Sequence, residues 1–150
     1  MISTLIAVLG TLAGAVVVGF MQHLTATRTA RTATAEQRRK ALSDAIPALL
    51  TALVRHREQQ YLKIVARRDG QADTTEARQA RYAARSAVTG AMDTLHMATQ
   101  HGELLALAQE AVDAAFALGD VPDAAVDAAG LRARKAHTAL RTGGARHLHT

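Results

Sequence analysis

The sequence predicts an all-α protein, in which an N-terminal single transmembrane helix is followed by an antiparallel bundle of long helices. The first observation is an uncharged apolar segment at the start of the chain. The second is that apolar residues beyond it recur every three or four positions, as on one face of a helix. The third is that glycine and proline divide the rest into long stretches, and none of these has the alternating pattern of a strand.

The first element is the apolar segment, which contains no charged residue and no proline from residue 2 to residue 21. Twenty helical residues extend about 30 Å, which matches the hydrocarbon thickness of a bilayer. We therefore expect residues 1–21 to form a transmembrane anchor. Ten of its side chains are large and apolar: Ile2, Leu5, Ile6, Val8, Leu9, Leu12, Val16, Val17, Val18 and Phe20.

Basic residues follow this segment and none precedes it, which predicts its orientation. Positive charges beside a span stay on the cytoplasmic side, so we expect the cell inner membrane, with the N-terminus outside and the body cytoplasmic. Arg28 and Arg31 lie close enough to contact the membrane surface. A cleaved secretory signal would need a basic start and a shorter apolar core. A soluble bundle that buries this segment as a core helix remains an alternative.

Small residues form a stripe inside the predicted anchor. Ser3, Ala7, Gly10 and Gly14 recur at spacings of three and four, and the last two form a GxxxG motif. Such a stripe lets two helix backbones approach closely in a membrane. We expect it to be the contact of a homo-oligomer.

The second predicted helix covers residues 35–68, after a basic, threonine-rich juxtamembrane linker at 22–34. Pro47 predicts either a kink near residues 42–43 or a helix that begins afresh at Ser43, with Asp44 in its first turn. The expected inward positions keep helical spacing: Leu42, Ile46, Leu49, Leu53, Tyr61 and Ile64, with Leu50, Val54 and Val65 beside them.

The third predicted helix follows a turn at residues 69–71, where Gly70 ends the preceding helix. Thr74 or Thr75 is expected to cap it, and it continues to about residue 100. Together with the second helix it forms the clearest helical hairpin of the sequence. Its expected inward residues are Ala84, Val88, Ala91 and Leu95.

Two more helices are predicted, at residues 103–118 and at about 122–142, separated by a turn that contains Pro122. The first has an apolar stripe of Leu104, Leu107, Ala108, Ala111, Val112 and Ala115. Two consecutive glycines then predict a flexible tail at 143–150. The cytosolic bundle thus covers residues 35–142, and its last two helices pack either in the same chain or with another copy.

Charge is segregated along the chain. Residues 22–85 hold thirteen basic and six acidic side chains, residues 86–131 hold seven acidic and no basic ones, and residues 132–150 hold five basic ones. This favours ion pairs between helices of the bundle. The alternative is that one basic face binds nucleic acid, and Arg78, Arg81 and Arg85 share such a face. No recognition motif accompanies these arginines.

We find no constellation that predicts catalysis, a cofactor or a metal site. The three serines lie outside any GxSxG motif, and no glycine-rich loop follows a strand. His96 and His101 lie on different helix faces, while His147 and His149 lie in the predicted tail. The chain has no cysteine, which excludes disulfides and thiolate metal sites. We expect a protein that is not an enzyme.

Several segments together suggest a family: IAVLGTLAGAVVVG at 6–19 with QH at 22–23, RRKAL at 38–42, LLTALVRHR at 49–57 and ARQARYAARSAV at 77–88. This layout resembles the KilB-like small membrane proteins of actinobacterial plasmids and chromosomes. The resemblance implies a role in the spread of transferred plasmids and no catalytic residues. We therefore expect a membrane-anchored interaction protein that binds protein partners or itself. The alternative is a membrane-tethered nucleic-acid-binding protein.

Overall fold

The computed structural model describes the backbone over residues 2–149 and the side chains over residues 32–148. This part of the chain is all-α, as the sequence predicts. It contains α1 (Ile2–Arg68), α2 (Thr75–Ala98), α3 (Gly102–Ala117) and α4 (Val126–His149), with a 3-10 turn at Asp123–Ala125 before the last helix. The chain divides into two compact units, Met1–Arg38 and Arg39–Thr150.

The first helix runs through the predicted linker and the predicted second helix without a break. Pro47 lies inside α1, so a new helix does not begin at Ser43. An internal proline costs roughly 3 kcal/mol because it removes a backbone hydrogen bond and crowds the preceding turn. Buried residues on both sides of Pro47 offset this cost, since Leu42, Ala45, Ile46 and Leu49 all enter one core.

The turn between α1 and α2 is the one that the sequence predicts. Gly70 has a φ of 65°, which favours glycine because it has no Cβ. Its N–H donates to the Arg67 carbonyl at 3.2 Å, and the Gln71 N–H donates to the Ala66 carbonyl at 2.9 Å. These two bonds form a Schellman motif. The Thr74 hydroxyl then caps α2 by accepting the Ala77 N–H at 3.2 Å.

The unit Arg39–Thr150 is an antiparallel four-helix bundle in which α1, α2, α3 and α4 share one core. Contacts at both ends fix the relative direction of α3 and α4. Glu110 and Glu103 of α3 pair with Arg132 and Arg146 of α4, so these two helices are antiparallel. The last two helices therefore pack within the same chain, and short turns reverse direction between the others. The buried apolar side chains include Leu49, Leu53, Val88, Leu95, Leu104 and Leu140.

The end of the last helix differs from the prediction. We expected the helix to stop near residue 142, but α4 continues to His149. Both Gly143 and Gly144 are buried within it. A Cβ at Gly144 would lie 2.9 Å from Cγ2 of Ile46, and one at Gly143 would collide with Leu107. These glycines thus allow close helix packing and do not release a tail.

The predicted anchor at 1–21 lies outside the residues whose side chains the structure describes. Among residues 32–148, whose side chains the structure describes, no helix carries an apolar stretch long enough to cross a lipid bilayer.

Candidate functional site

The inner face of α1 becomes polar in its last third. His56 and Gln60 are buried, with 1% and 9% of their surface exposed, although the sequence analysis did not expect either to face inward. They follow Leu49 and Leu53 at helical spacing and precede Ile64. Tyr61, which we expected inside, is 36% exposed. The inner face is therefore one register position away from the predicted one at this point.

His56 is packed between three helices. Its ring lies 4.9 Å from the Phe116 ring of α3, and the Arg85 guanidinium of α2 lies 4.3 Å from the same Phe116 ring. The pKa of His56 falls below its ordinary value because the side chain is buried, and the charge of Arg85 lowers this pKa further. His56 is therefore a neutral imidazole at pH 7.

The two ring nitrogens of His56 have different surroundings. Nε2 lies 3.3 Å from Nε2 of Gln60. The role of each ring nitrogen in this contact depends on the tautomer of His56. Nδ1 is buried and has no hydrogen-bond partner. Buried polar atoms without a partner are uncommon in folded proteins.

A cleft of about 270 Å³ opens beside His56. Four cationic and two anionic side chains line it, so its lining carries two net positive charges when histidine is neutral. Two aromatic rings and one amide complete the wall. The lining residues come from α1, α2, α3 and the connecting turns: His56, Gln60, Lys63, Asp73, Arg78, Arg81, Tyr82, Arg85, Phe116 and Asp120.

Two of the cations are held in place by carboxylates. Nη2 of Arg81 donates to both carboxylate oxygens of Asp73 at 2.6 Å, and this bond lowers the pKa of Asp73. Lys63 Nζ donates to the Gly119 carbonyl at 3.0 Å and lies 3.7 Å from Asp120. These contacts fix the walls of the cleft.

The other two cations form no direct ion pair with a carboxylate. Arg78 donates only to the Thr75 hydroxyl, at 3.3 Å, and Arg85 lies over Phe116. Among the described residues, no carboxylate lies within ion-pair distance of either guanidinium. The pKa of Asp73 is lowered mainly by its hydrogen bond to Arg81, and the charge of Arg78 lowers it further. Both guanidinium groups can still donate to a ligand in the cleft.

A second polar contact joins α1 to α4. Arg134 donates to the Tyr61 hydroxyl at 3.3 Å. Nδ1 of His137 and Nη1 of Arg57 are buried without a partner. Burial lowers the pKa of His137, and the nearby charges of Arg57 and Arg141 lower this pKa further.

Ion pairs between elements confirm the interpretation of the segregated charge. Arg132 contacts Glu110 at 2.9 Å and Arg146 lies 3.8 Å from Glu103, which joins basic α4 to acidic α3. Near the C-terminal end of α1, Arg67 pairs with Asp123 of the 3-10 turn and lowers the pKa of the Asp123 carboxyl. Surface pairs of this kind contribute at most about 1 kcal/mol each.

The structure describes the side chains of only some of the candidate residues that the sequence predicts. Ser3, Ala7, Gly10 and Gly14 of the expected oligomer contact lie outside the described side chains, as do Arg28 and Arg31 of the expected membrane surface. The three arginines considered for nucleic acid, Arg78, Arg81 and Arg85, line one cleft. In the described residues no group of three or more histidine or acidic side chains is arranged to hold a metal ion.

The histidines near the bundle end have a packing contact that the sequence analysis did not expect. The rings of His101 and His147 stack with their centroids 5.0 Å apart. This contact joins the start of α3 to the end of α4. The nearby Arg39 guanidinium donates to the Leu148 carbonyl at 2.7 Å, which holds the end of α4 against α1.

An exposed apolar stripe lies on the outer side of α1. Val54, Tyr61 and Val65 are 47%, 36% and 52% exposed. Their spacing of seven and four residues places all three within about 40° around the helix. Leu62, at 57% exposure, lies next to them. We call Val54, Tyr61, Leu62 and Val65 the α1 stripe. From the sequence, we expected Tyr61 to face inward and Val54 and Val65 to lie beside the inward positions.

Comparison of the sequence with known proteins finds a family match for the bundle. Residues 43–148 match the family model described as KilB plasmid transfer protein. The chain is 40% identical over 97 residues to Protein KilB of Streptomyces lividans, and the match covers 63% of each protein. No solved structure matches the chain. The family match includes almost the whole four-helix bundle, so the chain belongs to the KilB plasmid transfer protein family.

Proposed function

We propose that this protein is a membrane-anchored helical interaction protein without catalytic activity, which acts in plasmid transfer or spread. The match to the KilB family over residues 43–148 carries the link to plasmid transfer. The α1 stripe supports an interaction role, because exposed apolar side chains grouped on one face favour contact with another protein.

The anchor belongs to the proposal on sequence grounds. Residues 2–21 carry no charge, and the nearest basic residues, Arg28 and Arg31, follow them. These features favour a single-pass inner-membrane helix whose N-terminus faces out, with the bundle in the cytoplasm. The small-residue stripe with Gly10 and Gly14 would then bring two copies together within the membrane.

A second copy of this chain is the partner that we propose for the α1 stripe. Two anchored copies share one membrane plane, which raises their effective concentration and makes a weak contact between bundles sufficient. The stripe is short and only partly exposed, so a weak contact is what it can supply. Contact through the bundle would add to the contact through the anchors.

Site-specific photocrosslinking in the membrane tests this proposal. A photoreactive amino acid replaces Val54 or Val65 in the full-length protein, and Thr138 on the exposed side of α4 provides the matched control. We expect a crosslinked product of twice the chain mass from the two stripe positions, in at least fivefold excess over the control.

Each other outcome has a definite meaning. A product of a different mass, formed only from the stripe positions, would show that the stripe binds another protein and not a second copy. The interaction role would then stand. No product from either stripe position would contradict the interaction role of the stripe.

The nucleic-acid alternative receives less support. Arg81 is bound to Asp73, and Arg85 lies on the Phe116 ring. The three arginines line a cleft that includes two carboxylates, whereas a phosphate backbone needs an open basic surface.

A further inference from the structure

We propose that the cleft beside His56 binds a small molecule that carries a phosphate monoester and a planar ring, such as a nucleoside monophosphate. Neither the KilB family match nor the proposed interaction role includes a ligand of this kind. Four features support this ligand: the charge of the cleft, a buried imidazole nitrogen without a partner, the size of the cleft and an exposed aromatic wall.

The charge of the cleft matches a dianion. Four cations against two carboxylates leave two positive charges on the lining. A phosphate monoester carries between about −1.5 and −2 at pH 7 and has three strong acceptor oxygens. Arg78 and Arg85, which form no direct ion pair among the described residues, supply guanidinium donors of the type that recognises phosphate.

The buried imidazole supplies a second and independent indication. His56 lines the cleft, and only 1% of its surface is exposed. Its Nδ1 has no hydrogen-bond partner. In the tautomer that carries its proton on Nδ1, this nitrogen is a donor, and a phosphate oxygen is an acceptor that would satisfy it.

The cleft also limits the size and shape of the ligand. Its volume of about 270 Å³ lies just below the usual range of small-molecule sites, about 300–1,000 Å³. Tyr82 lines the cleft and is 70% exposed, so its ring face is available to stack on a planar group. A duplex is excluded by this volume, and Asp73 and Asp120 in the wall repel a continuous phosphodiester chain.

Calorimetric titration of the full-length protein in detergent at low ionic strength tests the proposal. The probes are adenosine monophosphate, ribose 5-phosphate, adenosine and a 16-base-pair DNA duplex. We expect binding of the monophosphate, weaker binding of ribose 5-phosphate because it lacks the ring, and no heat from adenosine. No binding of adenosine monophosphate at millimolar concentration would overturn the proposal.

Charge variants separate a site from general attraction to a basic protein. Arg78→Gln and Arg85→Gln should each weaken adenosine monophosphate binding at least tenfold. Arg132→Gln removes the same charge from an exposed pair outside the cleft, and should change binding less than twofold. Equal weakening of adenosine monophosphate binding in all three variants would show that the ligand responds only to the net charge of the protein, and would contradict a specific site. The thermal midpoint of each variant verifies that it is folded.

The remaining comparisons decide between ligand classes. Tight duplex binding that adenosine monophosphate does not displace would replace the small molecule with nucleic acid. The photocrosslinking at Val54 and Val65 uses no ligand, so failure of one proposal leaves the result for the other intact.

Discussion

At the scale of single residues, the buried His56 and Gln60 separate this bundle from a purely apolar one. The sequence contained a signal for them, since positions 49, 53, 56, 60 and 64 follow helical spacing. We expected Tyr61 inward as one of the apolar residues at helical spacing, but its hydroxyl bonds to Arg134 at the surface. Because only apolar residues were considered for the inner face, the polar part of the core was missed.

Two histidines predict how stability depends on pH. The folded-state pKa values of His56 and His137 lie below the unfolded value of about 6.5, because His56 is buried and His137 is partly buried, and both lie near arginines. The unfolded chain therefore takes up protons first as the pH falls. Stability is complete above about pH 6.5 and is lost below it, at no more than about 1.4 kcal/mol per pH unit for each histidine.

Denaturant unfolding between pH 7.5 and pH 5.0 measures this effect. The free energy of unfolding should fall with pH in the unaltered protein. The double variant His56→Gln with His137→Gln should have a flatter profile over the same interval, whatever its stability at pH 7.5. An equal slope in both proteins would show that other groups control the dependence.

At the scale of elements, the boundaries of α2 and α3 follow their predictions within two residues. Threonine capping and the Gly70 turn involve only residues that are close together in the chain, so the sequence alone identifies them. The end of α4 is different, because Gly143 and Gly144 resemble a helix stop until the neighbouring Leu107 and Ile46 are known. Tertiary packing decides such positions, and a single sequence does not contain that information.

Glycine-to-alanine substitutions test this account of α4. In Gly144→Ala the new Cβ would press on buried Ile46, which we expect to cost about 1–3 kcal/mol, partly offset by the better helix propensity of alanine. Gly90→Ala in α2 is the matched control, since nothing lies within 4 Å of its Cβ position.

Thermal or denaturant unfolding compares the two variants. The control should be more stable than the unaltered protein by about 0.5–1 kcal/mol. Stabilisation of Gly144→Ala by the same amount would mean that the glycine does not set the distance between α4 and α1.

At the scale of the whole molecule, the sequence predicted the all-α class and the antiparallel bundle, and the structure confirms both for the described residues. Segregated charge predicted the pairs between α3 and α4, because acidic and basic helices of one bundle attract each other. The cleft was beyond prediction from sequence. It needs Arg78 and Arg85 from α2, His56 from α1 and Phe116 from α3 in one place, and only the folded bundle brings them together.

The central claim is that an N-terminal anchor holds the bundle at the cytoplasmic face of the membrane, and labelling of single cysteines tests it most directly. The chain has no cysteine, so a cysteine inserted directly after Met1 and Met97→Cys each introduce one reactive group. Met97 is 82% exposed on the bundle. With a membrane-impermeant maleimide on intact protoplasts, we expect labelling of the N-terminal cysteine only, and labelling at position 97 only after lysis. Labelling at position 97 in intact protoplasts, or loss of the protein from the membrane fraction, would contradict the claim.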